Sequence, residues 1–205
     1  MYSTKTGLIL GFHGCDESII NDILLGKKEL KQSDNTYDWL GHGIYFWENS
    51  PSRAVEFAEF LKDNPQRAKT PIESPSVIGA VIDLGYCLDF TDYSNLQLLR
   101  EGYDLLKTAI ATLGVKLVNK PIGENNDLLF RELDCAVIET LHSLRSPDSD
   151  LRPFDSVRGV FWEGKEIYPN AGFKEKNHIQ ICIRNRNCIK GYFLPRKVDS
   201  GYSKV

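Results

Sequence analysis

Short apolar runs and helix-like apolar spacings alternate along the first third of the chain. Residues 8–12 form an apolar run that predicts a buried strand. Asp16 is a good helix N-cap, and apolar residues follow it at helical spacing. Residues 43–47 predict a second strand, and Pro51 then begins a second helix. The first third therefore predicts the order strand–helix–strand–helix.

The middle of the chain predicts two amphipathic helices, at residues 89–112 and 128–144, and the end predicts strands. The apolar stripe of the first of these helices consists of Leu96, Leu99, Tyr103, Leu106 and Ile110. The remaining strands are predicted at residues 77–84, 157–162, 179–183 and 189–194. This order favours one α+β domain over residues 1–205, in which the two middle helices pack together on the strands.

Composition and charge exclude several classes of protein. Lys+Arg 25 against Asp+Glu 28 gives a net charge of -3, which excludes a strongly basic nucleic-acid coat. A locally basic C-terminal end could still guide a nucleic-acid acceptor; it comprises Arg184, Arg186, Lys190, Arg196 and Lys197. No apolar run is long enough to predict a membrane span. The five scattered cysteines, without a Cys-x-x-Cys pair, predict buried thiols and a reducing, cytoplasmic setting without a structural metal.

Three stretches carry residue types that are typical of chemistry. They are Phe12-His13-Gly14 at a strand end, Gly41-His42-Gly43-Ile44-Tyr45-Phe46-Trp47, and Asn177-His178-Ile179-Gln180 at the start of an alternating strand. A glycine-rich dinucleotide fingerprint after the first strand and a phosphate-binding loop motif are both missing from the sequence. A doubly wound nucleotide-binding fold is therefore not predicted.

Together these stretches resemble the ADP-ribosyltransferase superfamily, in its poly(ADP-ribose)-polymerase-like branch with a His-Tyr-Glu triad. His13-Gly14, the Gly-x-Gly-Ile-Tyr-Phe strand and Arg53-Ala54 match that branch in order, and Gln180 occupies the position of its catalytic Glu. The resemblance covers roughly half of the chain, and residues 86–155 match nothing in the family. It implies split antiparallel β-sheets with flanking helices and a helical insertion at about residues 90–150.

The resemblance implies NAD as co-substrate and assigns roles to particular residues. His13 would bind the adenosine ribose, and the backbone of Gly14 would bind the nicotinamide amide. Tyr45 would stack on the nicotinamide ring, Phe57 would cover its other side, and Gly43 would line the site. Cleavage of nicotinamide from NAD passes through an oxocarbenium-like ribose, as in glycoside hydrolysis. The site must therefore stabilise positive charge on the sugar.

Gln180 departs from the family pattern because a carboxamide carries no charge and is a poor general base. Three interpretations remain open. The enzyme transfers a single ADP-ribose to an acceptor that is already nucleophilic, Glu175 swings in from the preceding loop, or the domain binds NAD without turnover. Arg131 and Arg158 are weaker candidates for binding the acceptor or a phosphate. The spacing of Arg131 and Asp134 favours an ordinary helical ion pair, and the position of Arg158 at the start of a strand is typical of a cap or a surface residue.

The sequence thus predicts a cytoplasmic, NAD-dependent mono-ADP-ribosyltransferase that modifies a protein or a nucleic acid. No metal and no membrane are expected to take part. The resemblance also suggests a bacterial or phage-related toxin or defence effector, for which an antitoxin would be a partner. The alternatives are a catalytically silent module that binds NAD or ADP-ribose, an NAD glycohydrolase, and an interaction protein whose aromatic loop at residues 34–47 contacts a partner.

Overall fold

A seven-stranded mixed sheet forms the centre of the computed structural model, which describes residues 7–122, 126–145 and 149–203. The strands of the described chain are β1 (Ile9–Asp16), β2 (Ile44–Glu48), β3 (Pro75–Ile82), β4 (Cys87–Asp89), β5 (Asn119–Lys120), β6 (Phe130–Arg131), β7 (Ser156–Phe161), β8 (His178–Ile183) and β9 (Ile189–Phe193). The sheet order is β4-β7-β8-β2-β1-β3-β9, while β5 and β6 form a separate ribbon. Neighbouring strands are antiparallel except β4 and β7, so the predicted α+β class is confirmed.

Four α-helices in the described residues pack against the sheet and one another: α1 (Glu17–Leu24), α2 (Pro51–Asp63), α3 (Tyr93–Leu113) and α4 (Glu132–Ser143). Asp16 caps α1 as predicted, because its carboxylate accepts hydrogen bonds from the amide and the hydroxyl of Ser18. The amides of Glu73 and Ser74 donate to the same carboxylate at 2.8 and 2.9 Å. The Ser18 hydroxyl and these amides hold the pKa of Asp16 well below its ordinary value.

The helices cover the sheet unequally. On one face, Ile20 and Ile23 of α1 join the sheet residues Phe46 and Ile181 in one buried cluster, and we call this the α1 face. On the opposite face, α2 packs over β1 and β3, while α4 packs over β7 and β8. We call this second side the α2–α4 face. Tyr45 and Gln180 belong to this second face, and both are partly buried.

Helix α3 packs on α4, as the sequence predicts, and the predicted stripe is only partly buried. Leu99 is partly buried, whereas Leu96 and Tyr103 are exposed. Gly102 is the buried residue among residues 93–111 of this helix, and a Cβ atom there would lie 2.8 Å from the Leu141 side chain. The helix is rotated so that glycine faces α4, because this allows the closest approach. Leu96, Leu99 and Tyr103 of the predicted stripe line a groove between α3 and α4, so the stripe borders the contact. Glycine has no side chain to signal burial, so the sequence did not predict the part that Gly102 plays.

Other differences from the prediction are small and have local causes. Strand β1 extends to Asp16, beyond the predicted residue 12, because it pairs with β3 over its whole length. Helix α4 begins at Glu132 because Phe130 and Arg131 belong to β6. All five cysteines are buried, and burial raises the thiol pKa of Cys15 and Cys135 to about 12. Within the described residues, no helix is long and apolar enough to cross a membrane.

A buried histidine on α4 predicts that the fold loses stability in acid. Burial lowers the pKa of His142 to about 4, whereas an unfolded histidine titrates near 6.5. Below pH 6.5 the unfolded chain binds a proton that the folded chain does not, so the free energy of unfolding falls with pH. Between pH 6.5 and 5 this one group contributes a loss of about 2 kcal/mol. In His142→Gln, the free energy of unfolding should fall by about 2 kcal/mol less on acidification than in the wild type. Urea titrations at pH 7.5, 6 and 5 measure this difference. An unchanged pH dependence in the variant would contradict the assignment.

Candidate active site

The sheet divides where the His-Gly pair meets the Gly-Ile-Tyr-Phe strand. Strand β1 pairs with β3 from Ile9 to Asp16, but within the described residues only Gly11 and Phe12 pair with β2. Strand β2 pairs instead with β8, starting at Ile44. From His13 onward β1 and β2 therefore diverge, and we call this opening the seam. The seam divides the sheet into two parts, β9-β3-β1 and β2-β8-β7-β4. The two residue pairs Gly11–Glu48 and Phe12–Trp47 connect these parts.

His13 bridges the seam. Its Nδ1 atom lies 2.8 Å from the carbonyl oxygen of Tyr45, which can only accept, so Nδ1 carries the hydrogen. The imidazole meets the ring of Phe46 edge-on, with 5.9 Å between the centroids. Burial lowers the pKa of His13, and the ring is therefore neutral at pH 7. The hydrogen bond fixes the tautomer and links the first two sequence motifs directly.

Packing explains both glycines that the resemblance places in the site. A Cβ atom on Gly14 would lie 1.9 Å from the carbonyl oxygen of Ala54 in α2. A Cβ atom on Gly43 would lie 2.5 Å from Sγ of Cys182 and 2.6 Å from the carbonyl oxygen of Ile183. The glycines thus allow α2 to approach β1 and the start of β2 to approach β8. In the structure, the glycines are thus explained by close packing of the protein against itself, whereas the sequence had suggested that they leave space for a ligand.

The hydroxyl of Tyr45 is hydrogen-bonded, and its ring packs against the buried cluster that contains Leu40 and Cys182. The hydroxyl donates to the carbonyl oxygen of Gly41 at 2.7 Å and accepts from the amide of Leu40 at 2.8 Å. Burial keeps the pKa of Tyr45 well above its ordinary value, so it is no acid or base near neutrality. The two hydrogen bonds hold the ring in one orientation, and the side chain remains partly exposed.

Gln180 and His13 leave the sheet on opposite faces. Gln180 is paired in register with Trp47, and Trp47 is paired with Phe12. Because side chains alternate along a strand, these three residues share the α2–α4 face, whereas His13 is on the α1 side of the pleat. The predicted triad therefore lies on three adjacent strands, with the side chain of His13 on one face of the sheet and those of Tyr45 and Gln180 on the other.

Glu175 and Phe57 have partners other than those that the sequence suggested. The carboxylate of Glu175 accepts a hydrogen bond from the amide of Lys165 at 3.1 Å, which holds it in the exposed loop before β8. The ring of Phe57 packs against Trp47 at 5.1 Å between centroids, in an apolar cluster with Phe12. Neither side chain contacts Tyr45 or Gln180 among the described interactions.

A set of rings on the α2–α4 face, beside Gln180, was not identified from the sequence. Trp39, Trp47 and Phe161 surround the imidazole of His178 at centroid distances of 6.2, 6.5 and 5.7 Å. We call these four residues the aromatic cluster. The predicted candidate Arg131 belongs to its edge, because its guanidinium carbon lies 4.6 Å from the Trp39 ring and 4.8 Å from the Phe161 ring.

An ion pair joins α2 to the end of β7 beside the aromatic cluster. Arg53 donates to Glu163 at 2.7 Å, with side-chain exposures of 11% and 15%, and its guanidinium carbon lies 5.7 Å from the Trp47 ring. Glu163 is thus a carboxylate that the structure brings to this region. Its position two residues after the end of β7 gave no sign of this, because the partner comes from α2.

Arg158 is held in a buried ion network on the α1 side. Its guanidinium donates to Glu48 at 2.5 and 3.1 Å, to Asp89 at 3.1 and 3.2 Å, and to the hydroxyl of Thr91 at 3.1 Å. The side chain is 7% exposed. These contacts join β7, β2 and β4, so they give Arg158 a structural role at this position.

Helix α4 braces the glycine-rich turn that precedes Tyr45. The carboxylate of Glu139 accepts from the His42 amide at 2.8 Å and from Arg184 at 2.6 Å. Although burial opposes ionisation, these two donors hold the pKa of Glu139 below its ordinary value. Trp39 is anchored as well, because its indole nitrogen donates to the Leu129 carbonyl at 3.0 Å. The two tryptophans of residues 34–47 therefore point towards the protein interior. The charge of Arg184 is neutralised by Glu139, so Arg184 does not add to the positive charge of the C-terminal end.

The described residues contain no group of three or more His, Cys, Asp or Glu side chains that could hold a metal ion. Two surface grooves of the described residues lie away from this region, one between α3 and α4 and one at the start of α1. No protein-family model, curated protein or solved structure matches the chain. The geometry of the site therefore carries the functional argument.

Proposed function

We propose that the chain is an NAD-dependent mono-ADP-ribosyltransferase with a split sheet, and that it modifies a macromolecular acceptor. The observation that carries this proposal is the seam. Motifs more than thirty positions apart in the sequence face each other there, and the His13 ring is hydrogen-bonded to the Tyr45 carbonyl at 2.8 Å. A chance pair of motifs would not be expected to meet on adjacent strands with the histidine ring hydrogen-bonded to the main chain of the tyrosine.

The residues at the seam suit a bound dinucleotide. The oriented ring of Tyr45 offers a face for stacking on nicotinamide, worth on the order of 1 kcal/mol beyond burial. The neutral His13 ring offers a hydrogen-bonding nitrogen, and β1 beyond Phe12 has no β2 partner among the described residues. NAD would supply the glycosidic bond to nicotinamide, whose cleavage places positive charge on the ribose. Glu163 is a carboxylate near enough to the aromatic cluster to influence that charge.

Labelled NAD tests the proposal directly. The full-length protein is incubated with NAD carrying label in the adenosine half, together with a whole-cell lysate. We expect nicotinamide release and label on macromolecules, and parallel protease and nuclease treatments then identify the acceptor class. Protein that neither binds NAD nor releases nicotinamide would contradict the proposal. Release without lysate, with all label in unattached ADP-ribose, would identify an NAD glycohydrolase instead.

A catalytically silent NAD-binding module is the second candidate. It is favoured because the two candidate carboxylates, Glu175 and Glu163, already have hydrogen-bond or ion-pair partners. Gln180 is uncharged, Glu175 is held by the Lys165 amide, and Glu163 is paired with Arg53. Gln180→Glu separates the two functions, because it restores a negative charge beside the ribose site. We expect the variant to release nicotinamide faster than the wild type. If both proteins bind NAD and neither releases nicotinamide with any lysate, the binding module is the correct function.

Tyr45→Ala should weaken NAD binding about 10- to 100-fold, because loss of a buried aromatic face removes roughly 1.5–3 kcal/mol. Tyr45→Phe is the matched control. It keeps the ring and loses the hydrogen bonds to Leu40 and Gly41, so it should lower stability by about 1–2 kcal/mol and leave NAD affinity within a few-fold. Calorimetry measures the affinity and urea titration the stability. Wild-type affinity in Tyr45→Ala would contradict the assignment.

A further inference from the structure

Aromatic rings surround His178, but only one of its two ring nitrogens has a hydrogen-bond partner among the described residues. It is the first residue of β8, opposite Phe161 of β7, and it is 8% exposed. Its Nδ1 atom lies 2.6 Å from the carbonyl oxygen of Lys176. Because a carbonyl can only accept, Nδ1 carries the hydrogen. Burial lowers the pKa of His178, so the ring is neutral at pH 7 and Nε2 carries an available lone pair.

The Nε2 atom of His178 is buried and has no hydrogen-bond partner among the described residues. Two donors nearby share this condition, namely Nε1 of Trp47 and Nε of Arg53. The Trp47 ring lies 6.5 Å from the His178 ring and 5.7 Å from the Arg53 guanidinium carbon. Three unsatisfied polar atoms, from β8, β2 and α2, are thus gathered in one part of the molecule.

Such a group of atoms destabilises the fold unless something else binds to it. A buried polar group without a partner costs about 1–3 kcal/mol, and native proteins rarely keep several together. The set comprises one acceptor and two donors. A hydroxyl group has the complementary capacity, with one donor and two acceptor lone pairs. A phosphate oxygen has no hydrogen to donate to Nε2, and an ammonium group cannot accept from Trp47 or Arg53.

We propose that Nε2 of His178 accepts a hydrogen bond from a sugar hydroxyl of the bound dinucleotide, and that Trp47 and Arg53 donate to the same oxygen. His178 thereby takes the part that the sequence pattern had assigned to Gln180, two residues further along the same strand and on the same face. The inference rests on the proposed function, since NAD is the ligand that supplies the hydroxyl. The three atoms are closed off from solvent, so the surrounding side chains must separate to admit it.

Two substitutions of His178 separate ligand binding from a structural role. The amide of His178→Asn mimics Nδ1 and retains a donor for the Lys176 carbonyl, but it removes the acceptor at Nε2. The longer amide of His178→Gln places an oxygen near the position of Nε2 and loses the contact with Lys176. We expect NAD affinity to fall about ten-fold in His178→Asn and to stay within about three-fold in His178→Gln.

The free energy of unfolding should be higher for His178→Asn than for His178→Gln, because only His178→Asn keeps the hydrogen bond to the Lys176 carbonyl. This order is the reverse of the order expected for NAD affinity. Calorimetry with NAD and urea titration of the full-length proteins measure the two rankings. In the wild type, the ¹⁵N resonance of His178 Nε2 should also shift when NAD is added. If the wild type binds NAD and His178→Asn binds it equally well, Nε2 holds a buried water only, and the proposed function survives. If the wild type does not bind NAD, this inference and the proposed function both fall.

Discussion

Gly14→Ala should lower the free energy of unfolding by about 3 kcal/mol or more, because the added methyl group has no room. Its carbon would lie 1.9 Å from the Ala54 carbonyl oxygen and 2.8 Å from the carbonyl carbon, and both atoms belong to the α2 backbone. The side chain therefore cannot be accommodated by a change of rotamer, and α2 must move away from β1. Because α2 also carries Arg53 and Phe57, NAD affinity should fall together with stability.

Gly191→Ala in β9 is the matched control for this substitution. It is also a strand glycine, and a Cβ atom there meets no other atom within 4 Å. It should change stability by less than about 0.5 kcal/mol in urea titrations followed by tryptophan fluorescence. A loss below 0.5 kcal/mol in Gly14→Ala itself would show that α2 does not pack against β1 as described.

Arg158→Met should destabilise the protein by about 3–5 kcal/mol, since it leaves two carboxylates without their counter-charge. Glu48 and Asp89 both contact the guanidinium, which is 7% exposed. Adding Glu48→Gln and Asp89→Asn to the variant should recover part of the loss, because the remaining groups are then neutral. NAD affinity, measured below the unfolding transition, should stay near the wild-type value.

Arg152→Met is the control for Arg158→Met, because its ion pair with Asp155 involves a guanidinium side chain that is 65% exposed. It should cost less than about 1 kcal/mol. Equal effects of the two substitutions would contradict a special role for the buried network. A selective loss of NAD affinity in Arg158→Met, with stability unchanged, would instead support the ligand-binding role that the sequence left open.

The strands that carry the site could be predicted from the sequence because local pattern determines them. The apolar run at residues 8–12, the glycine-flanked run at residues 43–47 and the alternation after residue 179 each predict a strand without reference to the rest of the chain. Helix α1 and its cap at Asp16 were predictable for the same reason. Strand β4 was missed because three residues are too short to show a period, and pairing with β7 alone defines it.

The chemistry around Gln180 could not be predicted because its parts come from distant positions. The alternating pattern begins at Ile179, and nothing in it distinguishes His178 from a solvated strand end. The sheet register brings Trp47 and Phe161 to this histidine, while Trp39 comes from a loop and is held by a hydrogen bond to the Leu129 carbonyl. Similarly, the apolar periodicity that defines α4 gives no sign that Glu139 would bind the His42 amide.

The Glu139 contact has a consequence for engineering a smaller version of this protein. Residues 90–150 have no counterpart in the superfamily that the sequence resembles, so a designer could choose to delete them and leave a minimal domain. Deletion would remove the only carboxylate, among the described interactions, that receives the His42 amide and Arg184 together. The turn leading to Tyr45 would lose its anchor. A trimmed protein would have to supply a new acceptor at that point, so the middle segment is an integral part of the domain and not a detachable module.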